Sequence, residues 1–287
     1  MQAAGIISLL TDFGLTDPYV GQLKGAILRR NPAARLVDLS HAVPRQDILT
    51  AAFFLHSSYR FFPAWTVHLA VVDPGVGSRR NILLAVTDDH LFVAPDNGIL
   101  SLLLAEGSAQ GRSSKIYRVE QTALFASSIS STFHGRDIMG PVAAALAGGL
   151  PPVEVGPELR PDACVRLHLP EPVISAESIT GQVLQIDHFG NIRSNISQVD
   201  LDRFSSDVQG VQYTQCVISL HGREILGISM TYADAEPGSL IALLDSAGYL
   251  EIAVNMNSAA QVTRCRTGDP VTVTTGVVPP LKKLTDN

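Results

Sequence analysis

The 287-residue sequence is short of cysteine, of aromatic residues and of positive charge. Its three cysteines, Cys164, Cys216 and Cys265, stand far apart, form no C-x-x-C and leave an odd number for pairing. A disulfide scaffold is therefore excluded, and a reduced, cytoplasmic setting is expected. Lys and Arg number 21 against 27 Asp and Glu, giving a formal charge of -6 with no clustered basic stretch. Such a chain has no electrostatic footprint for a phosphate backbone, so no nucleic-acid partner is expected. No apolar run is long enough to span a bilayer, and no membrane partner is expected either. The first five residues lack a basic segment and a strand-like run begins at Ile6, which argues against a signal or transit peptide. Asn195-Ile196-Ser197 matches a glycosylation acceptor, a tripeptide without meaning in the absence of secretion.

Familiar ligand-binding signatures are missing as well. There is no G-x-x-x-x-G-K-[ST] to cradle a nucleotide phosphate, and no G-x-S-x-G hydrolase elbow. Gly75-Val76-Gly77 follows a strand, but Arg80 stands where the dinucleotide fingerprint needs its third glycine. No H-E-x-x-H or paired-histidine spacing occurs among the eight histidines, so neither a metal nor a cofactor is expected.

What remains is a globular chain, 46% hydrophobic with a mean hydropathy of +0.20, long enough for two domains. Residues 1–157 alternate β-rich runs (6–10, 36–39, 66–72, 82–86, 91–94) with helical patterns (19–30, 48–59, 99–105, 138–147). That alternation predicts an α/β domain with a mostly parallel sheet and flanking helices. Residues 158–172, in a stretch rich in proline, read as a stiff linker. In residues 173–287 short runs at 179–186, 216–220, 224–228, 240–244, 250–254 and 271–275 are parted by Gly and Asp turns, predicting an all-β antiparallel barrel or sandwich.

Open α/β sheets bind ligands at strand ends, and four polar segments fall there or in comparable places. In Thr11-Asp12-Phe13-Gly14, Asp12 follows the first strand, where a carboxylate can accept hydrogen bonds from a vicinal diol such as a ribose; a turn-forming role is the alternative. Val72-Asp73-Pro74-Gly75-Val76-Gly77-Ser78-Arg79-Arg80 ends a strand in a carboxylate and returns through a glycine-rich loop to a basic pair, which is either a site or an Asp-Pro turn with solvated arginines. Phe133-His134-Gly135-Arg136-Asp137 sets a histidine before a helix expected to start at Ile138, with Asp137 as its N-cap. His134 is either an acid/base group or a surface residue. In the second domain Ile186-Asp187-His188-Phe189-Gly190-Asn191 can read an amino acid or a purine, or simply form a turn. Asp96-Asn97-Gly98 needs no role beyond a turn and cap.

Four such pieces in this order resemble the S-adenosylmethionine (SAM) hydroxide adenosyltransferase family, the SAM hydrolases, which are related to the fluorinases and chlorinases. The resemblance implies an α/β domain followed by a β-barrel, and a homotrimer with sites where one subunit's first domain meets a neighbour's second. It implies SAM as substrate, adenosine and methionine as products, and a triad of Asp73, Arg80 and His134 around the attacking water. By the same resemblance Asp12 holds the ribose hydroxyls, Asp187 and Asn191 hold the methionine end, and Ser246 and Asn255 lie near the adenine. The halogenases carry a tyrosine where this chain has Asp73 and lack His134, so water is the expected nucleophile. Ala247 and Val254 replace arginines of the fluorinase. Free hydroxide lies about 12 kcal/mol uphill at neutral pH, and one arginine shifts a neighbour by about 1–3 units. Arg80 is therefore expected to polarise the water while the proton passes to Asp73 or His134 during attack. A halide-using enzyme and a non-catalytic SAM sensor are the rival readings.

Overall fold

A computed structural model of the chain describes residues 3–275 except 88, 110, 112, 113, 169 and 208–214. The chain divides into two compact units, Met1–His168 and Leu169–Asn287.

Unit 1 runs β1 (Ile6–Thr11), α1 (Tyr19–Arg30), β2 (Arg35–Ser40), α2 (Ile48–Ser58), β3 (Val67–Val71), β4 (Ile82–Thr87), β5 (His90–Pro95), α3 (Ser101–Ala109), β6 (Lys115–Arg118), α4 (Gly140–Ala147) and β7 (Glu158–Leu159). Its strands form one sheet in the order β2-β1-β3-β5-β4-β6-β7. The β2-β1, β1-β3 and β3-β5 pairs are parallel, whereas β4 turns back on β5 and the rest of the sheet continues antiparallel. The sheet is thus mixed, with helices on both faces. Alternation along β3 explains the layering: Val67, Leu69 and Val71 join Leu23 and Ile27 of α1 and Val142 and Leu146 of α4, while Ala70 faces Leu55 of α2 and Leu103 of α3.

The stretch read as a linker is bound to unit 1 as far as Leu167. β7 pairs with β6, Cys164 is buried in the core, and the Val165 and Leu167 N–H groups donate to Asp96 Oδ1 and Ser101 Oγ at 2.8 Å each. Asp96 is itself buried, and the Val165 N–H satisfies one oxygen of a carboxylate largely shielded from solvent.

Unit 2 contains β8 (Val173–Ile174), β9 (Ser178–Ile186), β10 (Ile192–Ser197), α5 (Gln198–Asp207), β11 (Cys216–Leu220), β12 (Arg223–Leu226), β13 (Leu240–Leu244), β14 (Tyr249–Val254), α6 (Ala259–Thr263) and β15 (Pro270–Thr275). Seven of them follow the antiparallel order β12-β11-β15-β9-β10-β14-β13, and β8 adds to β9. Ser229, just past β12, bridges Leu243 of β13, so the sheet comes close to closing as a barrel. Inward residues recur at spacing two, as in Cys216, Ile218 and Leu220, in Leu250, Ile252 and Val254, and in Val271 and Val273, and fill its core with Ile179, Val183, Ile192 and Ile196. Among the described residues no helix is long and apolar enough to cross a membrane, and no group of three or more His, Cys, Asp or Glu side chains could hold a metal ion.

Candidate active site

β1 and β3 lie side by side with Thr11 opposite Val71, so the residues that follow them emerge together at the same edge of the sheet. Asp12 leaves β1 there, and its Oδ2 accepts the Gln46 N–H at 2.9 Å. Asp73 leaves β3 and starts a loop tightened by Val76 N–H to Asp73 O (3.2 Å) and Ser78 N–H to Gly75 O (3.1 Å). Gly77 has φ +79°, and a Cβ there would run into the Ser131 carbonyl oxygen. Only glycine lets this loop lie against residues 131–134. The preceding Val72 carbonyl is held by the Asn97 amide at 2.8 Å, which gives the Asp96-Asn97-Gly98 turn a bracing part.

The loop returns Arg80 onto Asp73. Arg80 Nε donates to both carboxylate oxygens, at 2.8 and 3.0 Å, and Nη2 bonds Oδ2 as well. The same Nη2 lies 3.1 Å from His134 Nδ1, so one guanidinium ties the carboxylate to the imidazole. The pair is nearly dry, with side-chain exposures of 10% for Arg80 and 5% for Asp73.

His134 opens a helical segment that starts earlier than expected. Residues Gly135–Met139 form a π turn that passes directly into α4. Asp137 is consequently inside the helix and is not an N-cap for Ile138: its buried carboxylate accepts the Ser130 N–H at 2.8 Å and pairs with Arg136. Burial works to raise the Asp137 pKa, but the Arg136 and Ser130 bonds outweigh it and hold it below the ordinary value. For His134, burial first and the Arg80 charge second push the pKa down, opposed by Asp73 and Asp137. A guanidinium can only donate, so Nδ1 of the neutral ring accepts from Arg80 and Nε2 carries the proton.

Asp12, Asp73 and His134 line one cleft of about 230 Å³ with Phe13, Gln46, Thr132 and Phe133. Phe13 and Phe133 meet edge to face, their centroids 5.5 Å apart. Arg80 does not line this cleft. It lines a second cavity of about 230 Å³, with Ser78, Asn81, Arg118 and Glu120, which shares His134 with the first.

In unit 2 the Asp187 carboxylate accepts N–H groups of Phe189 (2.9 Å) and Asn191 (2.8 Å) and the Asn191 side-chain amide (3.3 Å), building the turn between β9 and β10. Both residues also line a cavity of about 690 Å³ with Phe189, Tyr232, Ser258 and Gln261. Ser246 and Asn255 lie outside that lining. Ser246 is exposed in the β13-β14 turn, and Asn255 donates its amide to Ala235 O at 2.6 Å. Behind the cavity Tyr232 donates to the buried Glu251 at 2.7 Å, and burial raises the Glu251 pKa.

Profile comparison matches residues 7–156 to the SAM hydroxide adenosyltransferase N-terminal domain and residues 181–272 to the C-terminal domain of the same family. The chain belongs to the SAM hydroxide adenosyltransferase family. A relative from Salinispora tropica named (R)-S-adenosyl-L-methionine hydrolase is 37% identical over 94% of this chain and 98% of its own. One of the same name from Thermus thermophilus is 35% identical over 92% and 98%. A fluorinase from Actinoplanes is 30% identical over 94% and 97%. The crystal structure of a conserved protein from Thermotoga maritima superposes with a TM-score of 0.83 at 37% identity, covering 93% of this chain and 99% of that one.

Several residues that line the cleft and the unit 2 cavity are not among the candidates read from the sequence. Phe13 and Phe133 lie inside the Thr11–Gly14 and Phe133–Asp137 segments, so their place beside Asp12 and His134 is a usable signal. Gln46 had none: it reaches Asp12 through its backbone N–H from a left-handed conformation, φ 64°. Tyr232, Ser258 and Gln261 come from three separate segments that only the barrel gathers.

Proposed function

We propose that this protein hydrolyses S-adenosylmethionine to adenosine and methionine. The reading rests on one observation above the rest: the Asp73–Arg80–His134 assembly stands at a cleft that also holds Asp12. A lone pair of water forms the O–C5′ bond, the C5′–S pair goes to sulfur and neutralises the sulfonium, and one proton is released. Methionine leaves without protonation, so alignment of water behind C5′ is the main task and can supply about 7–11 kcal/mol. Cancelling the sulfonium charge also favours a dry cleft.

The triad's roles follow from its bonds. His134 has its only free lone pair engaged by Arg80, leaving Nε2–H as a donor that orients the water oxygen. Asp73 is acceptor-only and retains lone pairs beyond those facing Arg80, so it takes the proton as attack proceeds. Arg80 holds both groups from outside the cleft. Asp12 takes the ribose diol, and Asp187 and Asn191 take the methionine end, with Ser246 and Asn255 on the adenine side. The working form is a cytoplasmic homotrimer in which a neighbour's second unit completes each site, and dilution to monomer is expected to abolish turnover.

The test is incubation with SAM in ¹⁸O water, with and without chloride, read by mass spectrometry. Label in the adenosine 5′-hydroxyl together with methionine is expected. A 5′-chloro product supports the halide reading, and tight binding without product supports the sensor reading. His134→Gln, which keeps an N–H donor, is expected to retain more activity than Asp73→Asn; the reverse order would transfer the base role to His134.

A further inference from the structure

We infer that Thr11 and His41, neither of which lines the cleft, are positioning residues that aim the Asp12 carboxylate and thereby set the requirement for a vicinal diol on the nucleoside. The inference rests on the ribose assignment of Asp12 made above. Thr11 is fully buried at the end of β1, and His41 is 5% exposed just beyond β2. Thr11 Oγ1 lies 2.8 Å from His41 Nδ1 and accepts the Phe13 N–H at 3.3 Å. On the far side of Asp12, the His41 carbonyl accepts the Gly14 N–H at 2.8 Å, where Gly14 turns the chain with φ +69°. One histidine therefore grips the Asp12-Phe13 segment before and after the carboxylate.

The ring is itself held. Nε2 lies 3.1 Å from Asp38 Oδ1, within ion-pair reach, and Asp38 Oδ2 receives Lys24 Nζ at 2.7 Å. A carboxylate beside Nε2 favours the proton on that nitrogen, which leaves Nδ1 to accept the Thr11 hydroxyl proton. The Thr11 oxygen is then free to accept from Phe13, so donors run in one direction along the chain and reinforce one another. Asp12 has one oxygen committed to Gln46 N–H. Its remaining lone pairs meet a diol in good geometry only if the backbone carrying it does not rotate, because hydrogen bonds weaken steeply off axis.

Valine fills the volume of threonine without the hydroxyl, so Thr11→Val removes the brace and keeps the packing. The experiment measures kcat/KM of the full-length chain for SAM and for its 2′-deoxyadenosyl analogue. Wild type is expected to prefer SAM by about a hundredfold or more, as a site built to bond a hydroxyl does. Thr11→Val is expected to cut that preference about tenfold, through SAM alone, and Thr11→Ser to restore it. His41→Gln is expected to behave like Thr11→Val and decides the matter should the valine variant fail to fold. Equal losses on both substrates with the preference intact would overturn the positioning role. Asp12→Ala retaining the preference would instead overturn the ribose assignment itself.

Discussion

Replacing Arg80 by lysine separates charge from geometry at the centre of the site. Arg80 makes three bonds to Asp73 and one to His134 Nδ1. Lysine keeps the positive charge beside a carboxylate that is 5% exposed, so the cost of leaving Asp73 buried and unpaired, about 3–5 kcal/mol for a broken pair, is largely avoided. A single ammonium cannot reproduce a planar fork that reaches two groups at once. The His134 lone pair then loses its donor, the ring is free to change tautomer, and the Nε2–H proposed to orient the water is lost from part of the population. Losing one preorganised donor costs about 2.7–4 kcal/mol, or roughly 10²–10³ in kcat. KM for SAM is expected to change little, because Arg80 lines the neighbouring cavity and not the cleft. Chromatographic assay of adenosine release gives both constants, and a denaturant melt gives stability. A large rise in KM at unchanged kcat would refute the reasoning by putting Arg80 against the substrate. Arg80→Gln adds the charge loss: its removal takes away a cause that lowers the His134 pKa, so the acid limb of the kcat–pH profile is expected to move to higher pH.

Two further outcomes bear on loop geometry and on stability. Gly77→Ala forces a left-handed residue against the Ser131 carbonyl, so a loss of more than about 2 kcal/mol and of most activity is expected in a melt and a turnover assay; a wild-type melt would show the loops tolerate separation. His68, fully buried between Ser8 (2.7 Å) and His90 (3.1 Å), has its pKa pushed down to about 3, by burial first and the His90 charge second. The unfolded chain therefore binds the proton first, and stability is complete above the ordinary histidine value and falls as pH drops from about 6.5 toward 3. The loss reaches about 2 kcal/mol by pH 5, measurable as a urea midpoint shift that His68→Gln removes.

Composition and period were enough for the two-part architecture, since strands buried on both faces and helices with one apolar stripe write themselves into the chain locally. The motif segments after β1 and β3 and before α4 were legible for the same reason: polar residues and glycine crowd where apolar runs stop. β10 was not, because its inward positions include Ser194 and its buried Asn195 is satisfied by Gln182 N–H and Pro170 O, partners that no local pattern records. The π turn at Gly135–Met139 carries no local mark in the sequence, where Asp137 before Ile138 reads equally well as an N-cap. Sequence by itself placed a carboxylate, a guanidinium and an imidazole in two short segments, Val72–Arg80 and Phe133–Asp137. Tertiary structure decided that the guanidinium lines a neighbouring cavity and not the cleft, that it bonds the imidazole through Nδ1, and that a backbone N–H from Gln46 meets Asp12. Those features depend on the angles at which separate loops meet, which long-range packing sets and local sequence does not encode.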